Sequence, residues 1–159
     1  YSDIICHTDS ISALAISEGD IVITYDKLWL NLWGLRFEDP LSDAETFSVK
    51  NGKVIDIGRK STDLNEINGQ YMGLIKLTPN GWSSISKILE KIPQEEKNKL
   101  DITSLLLKLI SSGITVDGIG VRGGWIEVDK STDIQNYEIC LEKASKKGGR
   151  WSHDWRGSK

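Results

Sequence analysis

The sequence predicts an α/β fold built on a mainly parallel sheet, with helices on both faces and one antiparallel hairpin. Residues 21–25 form a continuous apolar run rich in β-branched side chains, which is typical of a strand buried on both faces. Strand-like segments alternate with segments of helical apolar spacing, as in a parallel α/β fold. Asn51 and Gly52 separate two strand-like runs and predict a tight hairpin turn.

Composition narrows the class of protein. The chain has 159 residues, of which 38% are hydrophobic and 27% charged, and this predicts one soluble, globular domain. The net charge of -3 argues against general affinity for nucleic acid. No window has the roughly 18 apolar residues that a membrane span needs. Cys6 and Cys140 lack metal-ligand spacing and are expected to be free thiols, which predicts a reducing, cytoplasmic location.

The pattern of apolar and turn-forming residues sets the order of the elements. Strands are predicted over residues 2–6, 21–25, 44–49, 53–57, 71–77, 114–121 and 125–128. Helices are predicted over residues 9–15, 27–37, 82–92, 102–110 and 133–144. Pro40 disfavours helical backbone at the residue before it, so the second helix must end ahead of this point.

Single residues mark particular features of these elements. Gly73 lies inside a predicted strand and indicates a bulge or a close backbone approach. Asp101 and Asp133 are expected to be the N-caps of the last two helices. Trp29 and Trp33 lie one helical turn apart and are interpreted as core residues, with cation binding by their rings as the alternative.

The last fifteen or so residues differ in composition from the rest of the chain. Residues 145–159 are basic and contain glycine and serine, with Trp151 and Trp155 among them. Such a composition predicts a flexible, solvated tail whose tryptophans lie outside the core.

Three aspartates lie next to predicted strands. Asp3 belongs to the first strand, and Asp129 follows the last strand just before the final helix. We expect Asp3 and Asp129 to meet in space, where they could hold a metal ion between them. Asp26 ends the strand formed by residues 21–25, at the edge of the sheet where open α/β folds bind ligands.

Seven short motifs follow one another along roughly the first 140 residues. They are Tyr1-Ser2-Asp3-Ile4-Ile5, Tyr25-Asp26-Lys27-Leu28-Trp29, Asp43-Ala44-Glu45, Ile57-Gly58-Arg59-Lys60, Gly69-Gln70-Tyr71-Met72-Gly73-Leu74, Asp101-Ile102-Thr103, and Trp125-Ile126-Glu127-Val128-Asp129 with Asp133. In this order they resemble the nucleotidyltransferases that join a nucleoside triphosphate to a sugar phosphate or a small phosphorylated alcohol. They are most similar to the phosphocholine and 2-aminoethylphosphonate cytidylyltransferase branch of that family.

The resemblance implies a Rossmann-like, nucleotide-diphospho-sugar transferase-like fold, of which residues 1–144 are the C-terminal portion. The family begins with a glycine-rich loop that cradles the triphosphate. Residues 118–124 are rich in glycine but do not open a helix, so we do not interpret them as this loop. The resemblance therefore implies a fold that is incomplete at its N-terminus, with an N-terminal segment or domain completing the active site.

The resemblance also implies an activity. It is Mg²⁺-dependent transfer of a nucleotide, with CTP as the expected donor, to a small phosphate or phosphonate acceptor, with release of pyrophosphate. Because both reactants are anionic, neutralisation of charge and in-line positioning dominate such catalysis. Mg²⁺ suits this task and is bound by one or two carboxylates together with phosphate oxygens.

The motifs carry the family's site residues onto this chain. Asp3 and Asp129 are the expected metal ligands, and Lys60 is the expected contact to the acceptor's phosphate, with an ordinary surface lysine as the alternative. The expected acceptor pocket comprises Asp26, Arg36, Glu45, Gln70, Tyr71 and Asp101. Gln70 stands where the branch often has glutamate, so recognition of a cationic acceptor through this position is in doubt.

Two other functions stay open. A hexose-1-phosphate nucleotidyltransferase would show contacts to sugar hydroxyls in place of an acidic or aromatic pocket. A non-catalytic binding module would keep the fold without the nucleotide loop, but it would have no need of paired metal ligands.

Overall fold

A computed structural model describes residues 2–157 of the chain. Tyr1, which opens the first motif, and residues 158–159 of the predicted tail lie outside the described residues. The strands are β1 (Ile4–Cys6), β2 (Ile21–Asp26), β3 (Glu45–Lys50), β4 (Lys53–Lys60), β5 (Gln70–Leu77), β6 (Asp117–Val121) and β7 (Trp125–Glu127). The helices are α1 (Thr8–Ile16), α2 (Trp29–Arg36), α3 (Pro79–Glu90), α4 (Gln94–Lys97), α5 (Ile102–Ser111) and α6 (Ser131–Lys146).

The strands form two sheets. A five-stranded sheet has the order β3-β4-β6-β2-β5, and β1 and β7 form a separate antiparallel pair. Within the described residues, β2 and β6 are the only parallel pair of named strands, so the larger sheet is mixed and mostly antiparallel. The prediction of a mainly parallel sheet is therefore wrong. β2 is apolar because helices bury it on both faces. Such burial occurs in parallel and antiparallel sheets alike, so it does not indicate strand direction.

Helices cover both faces of the larger sheet, as predicted. Tyr71 packs with α3 and α5 against one apolar cluster, whereas Met72 is buried in the other cluster with α2 and α6. This division follows from the alternation of side chains along β5. Trp29 and Trp33 are 5% and 4% exposed, which confirms that they are core residues. Among residues 2–157, no helix combines the length and the apolar character that crossing a bilayer requires.

Local turn signals are confirmed. Asn51 and Gly52 both have left-handed backbone, with φ of 52° and 75°, and join β3 to β4. Their conformation is the one that two-residue hairpins favour. The β2–β5 register shifts between Ile23 and Tyr25, opposite Gly73 with φ of 79°, which is the predicted bulge.

The two predicted helix caps differ in outcome. Asp101 caps α5, and its carboxylate accepts the Ser104 amide at 2.7 Å. Asp133 does not precede its helix, because α6 already begins at Ser131. From the third helical position its carboxylate accepts the backbone amides of Asp129 and Lys130, each at 3.0 Å. An acidic residue at this position can reach back over the helix start, and this corrects the predicted cap.

Residues 151–155 do not form the solvated tail that the composition predicts. His153 is fully buried, and Trp151 stacks on Tyr137 of α6 with ring centroids 5.5 Å apart. Trp155 packs against the apolar cluster that contains Tyr137. The partners of these side chains lie on distant elements, so the composition of the segment does not reveal them.

Gly58 offers a test of how β4 packs on α5. Its φ is +85°, and an added Cβ would lie 2.8 Å from the Cβ of Thr103. We expect Gly58→Ala to lower the free energy of unfolding by about 2 kcal/mol, because backbone strain and the clash add. The control is Gly34→Ala on α2, where no atom of the described residues lies within 4 Å of the added Cβ, apart from its chain neighbours and the backbone of its own helix. Alanine favours helix, so this variant is expected to gain up to about 1 kcal/mol. Urea denaturation measures both, and equal effects would contradict the prediction.

Candidate active site

Three carboxylates meet at one end of the β1–β7 pair. Ile4 lies opposite Glu127, and the amide of Val128 donates to the carbonyl of Asp3 at 2.8 Å. One carboxylate oxygen from each of Asp3, Glu127 and Asp129 lies within 4.8 Å of the others. The structure thus brings Asp3 and Asp129 together, as the sequence suggests. It adds Glu127 to the pair. The sequence contains a sign of this, because Glu127 precedes Asp129 by two residues and residues two apart in a strand lie on the same face.

Arg36, the last residue of α2, lies across these carboxylates. Its side chain is 1% exposed, and its two terminal nitrogens each lie 2.5 Å from an oxygen, one of Glu127 and one of Asp129. Its guanidinium also lies over the rings of Trp33 and Phe37, at 5.2 and 5.0 Å from their centroids. Arg36 thus fixes the carboxylate cluster, and its expected contact with the acceptor stays a prediction.

The cluster carries more negative charge than Arg36 neutralises. Asp133 also approaches the guanidinium, at 3.8 Å, and Asp3 lies beside Glu127 and Asp129, so four carboxylates share this region with one arginine. Burial raises the pKa of Glu127 above its usual value, and Asp129 and Asp3 add to the rise, while Arg36 lowers it. Burial lowers the pKa of Arg36, but Glu127 and Asp129 outweigh it and hold that pKa above its usual value.

The chemistry of the cluster fits a hard divalent cation. All three candidate ligands are carboxylate oxygens, the type that Mg²⁺ prefers. Arg36 takes one oxygen of Glu127 and one of Asp129 and leaves the second oxygen of each. Oδ1 of Asp3 is buried and has no hydrogen-bond partner among the described residues, and coordination of a cation would compensate for this.

A cavity of about 170 Å³ adjoins the cluster. Glu127 belongs to both, so a ligand in the cavity would lie next to the carboxylates. The cavity is lined by Trp33, Asp43, Glu45, Thr46, Phe47, Ile57, Gln70, Tyr71, Thr103 and Glu127. Three of the predicted acceptor residues, Glu45, Gln70 and Tyr71, are thus brought together.

Glu45 and Gln70 are joined within this cavity. The amide nitrogen of Gln70 donates to the carbonyl of Glu45 at 2.7 Å, and its oxygen accepts the Glu45 amide at 3.4 Å. The side-chain amide of Gln70 therefore joins the first residue of β5 to the first residue of β3. The carboxylate of Glu45 is half-buried, and burial raises its pKa above the usual value. Asp101 and Asp43 also raise that pKa, while Thr103 and Lys60 lower it.

Lys60 and Asp101 lie beside the cavity but do not line it. Lys60 is exposed at the end of β4, directly opposite Glu45 in the strand pairing. Asp101 caps α5 and accepts the hydroxyl of Thr103 at 3.1 Å, and it is Thr103 that lines the cavity. The carboxylate of Asp101 is thus bonded within its own helix, and its expected contact with the acceptor stays a prediction.

Asp26 has a structural role, and its expected contact with the acceptor stays a prediction. It is fully buried, and its two oxygens accept four hydrogen bonds. The donors are the amides of Leu28 (2.8 Å) and Gly123 (2.8 Å), Nε1 of Trp125 (3.0 Å) and Nε2 of His153 (2.8 Å). Burial raises the pKa of Asp26, but these bonds outweigh it and hold the pKa below its usual value. Nothing in the sequence around His153 indicated this contact.

The chain matches a known protein over most of its length. It is 32% identical over 149 residues to the CTP:phosphoglutamine cytidylyltransferase of Campylobacter jejuni, covering 90% of this chain and 58% of that protein. The predicted resemblance to cytidylyltransferase-type nucleotidyltransferases is confirmed. The fold is similar to that of the inositol-1-phosphate CTP transferase from T. maritima, with a TM-score of 0.58 and 18% identity, covering 94% of this chain and 55% of that one. No known protein-family profile matches the chain.

The structural role of Asp26 predicts a pH-dependent effect of its replacement. Its folded pKa lies below the unfolded value, so its stabilisation is present above about pH 4 and is lost as the pH falls through the folded pKa. We expect Asp26→Asn to lower the free energy of unfolding by about 3 kcal/mol at pH 7, and by less at pH 3. The measurement is urea denaturation at both pH values.

The matched control for this variant is Asp9→Asn. The side chain of Asp9 is 84% exposed, so its replacement is expected to change the unfolding free energy by at most about 0.5 kcal/mol. An Asp26→Asn protein as stable as the wild type at pH 7 would contradict the structural role.

Proposed function

We propose that the protein transfers a nucleotide, with CTP as donor, to a small phosphate or phosphonate acceptor in a Mg²⁺-dependent reaction that releases pyrophosphate. The observation that carries the proposal is the shared boundary of the carboxylate cluster and the cavity at Glu127. Both similar proteins are named for CTP-dependent transfer, which supports the choice of donor. This chain spans 58% of the length of the curated relative, so the activity that the relative's name gives comes to this chain as a proposal.

In this proposal Asp3, Glu127 and Asp129 would hold the Mg²⁺ ion. When bound, the ion would supply positive charge between two anionic reactants. Arg36 keeps Glu127 and Asp129 side by side, and it is itself fixed by the rings of Trp33 and Phe37. The side chains are therefore held near a binding geometry by the fold, which limits the reorganisation that binding requires.

The cavity would receive the acceptor, whose phosphate or phosphonate oxygen attacks the α-phosphorus of the nucleotide. Lys60, exposed opposite Glu45, would neutralise the acceptor's phosphate at the cavity rim. The lining combines Trp33 with the carboxylates of Asp43 and Glu45, which suits an acceptor carrying N–H groups. Its volume of about 170 Å³ is below that of common ligand pockets. These features favour a small nitrogen-containing acceptor over a hexose 1-phosphate.

The proposal assigns the triphosphate to residues outside this chain. An N-terminal segment carrying the family's glycine-rich loop would complete the active site. The non-catalytic module is the weaker alternative, because an excess of carboxylates around one arginine costs stability and has no use without a cation.

The first test is Asp129→Asn in the full-length protein. We expect Mg²⁺-dependent pyrophosphate release from CTP to fall by about two orders of magnitude or more, because one ligand charge is lost. Release is measured with CTP and other nucleoside triphosphates against phosphocholine, 2-aminoethylphosphonate, phosphoglutamine and hexose 1-phosphates. The control is Glu142→Gln, which changes an exposed carboxylate of α6 paired with Lys146. Normal turnover of the Asp129→Asn protein would refute the metal role, and no release with any pair would refute the activity.

The second test concerns the acceptor. We expect Lys60→Ala to raise the KM for the acceptor by about tenfold, because an anionic group loses its nearest exposed cation. The matched control is Lys53→Ala at the other end of the same strand, which should leave the KM unchanged. Steady-state kinetics at fixed CTP measures both variants. An equal effect of the two replacements would show that Lys60 acts only through general surface charge.

A further inference from the structure

The strand that carries the candidate ligands has little support of its own. β7 has three residues and pairs only with β1 among the described strands. An isolated two-stranded pair is marginally stable in water. Glu127 ends this strand and Asp129 follows two residues later. The positions of both carboxylates must therefore depend on other contacts of β7.

The beginning of β7 is tied to the larger sheet through Asp26. The Gly123 amide and the Trp125 indole both donate to its carboxylate, at 2.8 and 3.0 Å. A carboxylate offers about four acceptor positions. The amide of Leu28 fills a third, and Nε2 of His153 fills the last at 2.8 Å. His153 thus completes the contact that joins β7 to the end of β2.

The backbone next to His153 also contacts the two glycines that precede β7. The carbonyl of Ser152 accepts the Gly124 amide at 2.8 Å. At Gly123, whose φ is +72°, an added Cβ would lie 2.2 Å from that carbonyl oxygen. The segment therefore lies directly against the two glycines that lead into β7.

The far end of β7 is held by the same segment through one intermediate. Trp151 stacks on Tyr137 with an angle of 29° between the rings. The hydroxyl of Tyr137 donates to the carbonyl of Glu127 at 2.7 Å. Residues 151–153 thus act on β7 at its start through Asp26 and at its end through Tyr137.

We propose that residues 151–153 position β7, and that His153 is a positioning residue for Glu127 and Asp129, acting through Asp26. The description of those two carboxylates as metal ligands rests on the proposed function. The positioning of the strand does not, because it follows from hydrogen bonds and packing within the chain.

The test compares two replacements of His153 in the full-length protein. Gln keeps a side-chain amide that can donate to Asp26, whereas Leu has similar bulk and no donor. We expect His153→Leu to weaken Mn²⁺ binding, followed by electron paramagnetic resonance, by about tenfold, and His153→Gln to weaken it by less than about threefold. We also expect Leu, but not Gln, to shift the backbone amide resonances of residues 127–129. Arg156→Ala, an exposed change three residues after His153, is the control.

Each outcome decides a separate question. A folded His153→Leu protein with wild-type Mn²⁺ affinity and wild-type resonances at residues 127–129 would overturn the positioning role. If the wild type binds no Mn²⁺, the proposed function fails, and the amide resonances still decide the role of His153. If His153→Leu does not fold, His153→Met, which also lacks an N–H donor, replaces it, and wild-type resonances at residues 127–129 would overturn the role of His153. Trp151→Leu leaves Asp26 fully bonded, so wild-type resonances in that variant would overturn the contact through Tyr137.

Discussion

The hydrogen-bonded carboxylate of Asp26 is the contact on which the arrangement of the site depends. An ionised carboxylate inside a protein is very costly unless donors replace the water that it loses. Here four donors do so, and they come from the turn after β2, from Gly123 before β7, from β7 itself and from His153 near the C-terminus. The requirement to satisfy one charge therefore determines where four separate parts of the chain lie, and it joins the two sheets at one point.

The carboxylate cluster follows the opposite pattern. Asp26 is surrounded by donors and has no acceptor position left. Glu127 and Asp129, in contrast, share one guanidinium, and together with Asp3 they keep oxygens that accept no hydrogen bond from the described residues. This contrast distinguishes a carboxylate that builds the fold from carboxylates available to a ligand. Position at the end of a buried strand does not distinguish the two kinds of carboxylate. Asp26 lies where open α/β folds bind ligands, but its charge is already compensated by hydrogen bonds within the protein.

Much of the fold could be predicted because its signals are local. The hairpin at Asn51, the bulge at Gly73 and the cap at Asp101 each depend on a few neighbouring residues, and the motif order was enough to bring Asp3 and Asp129 together. Strand direction was not predictable, because an apolar run reports burial only. The roles of His153 and Gln70 were missed since their partners are distant in sequence. Asp26 and His153 are 127 positions apart.

The long separation between Asp26 and His153 bears on the order in which the molecule folds. At ribosomal rates, on the order of ten seconds pass between the synthesis of one residue and that of the other. The apolar clusters need not wait for this interval, since most of their members precede residue 138. The charge of Asp26, in contrast, lacks its last donor until the C-terminal segment has folded back.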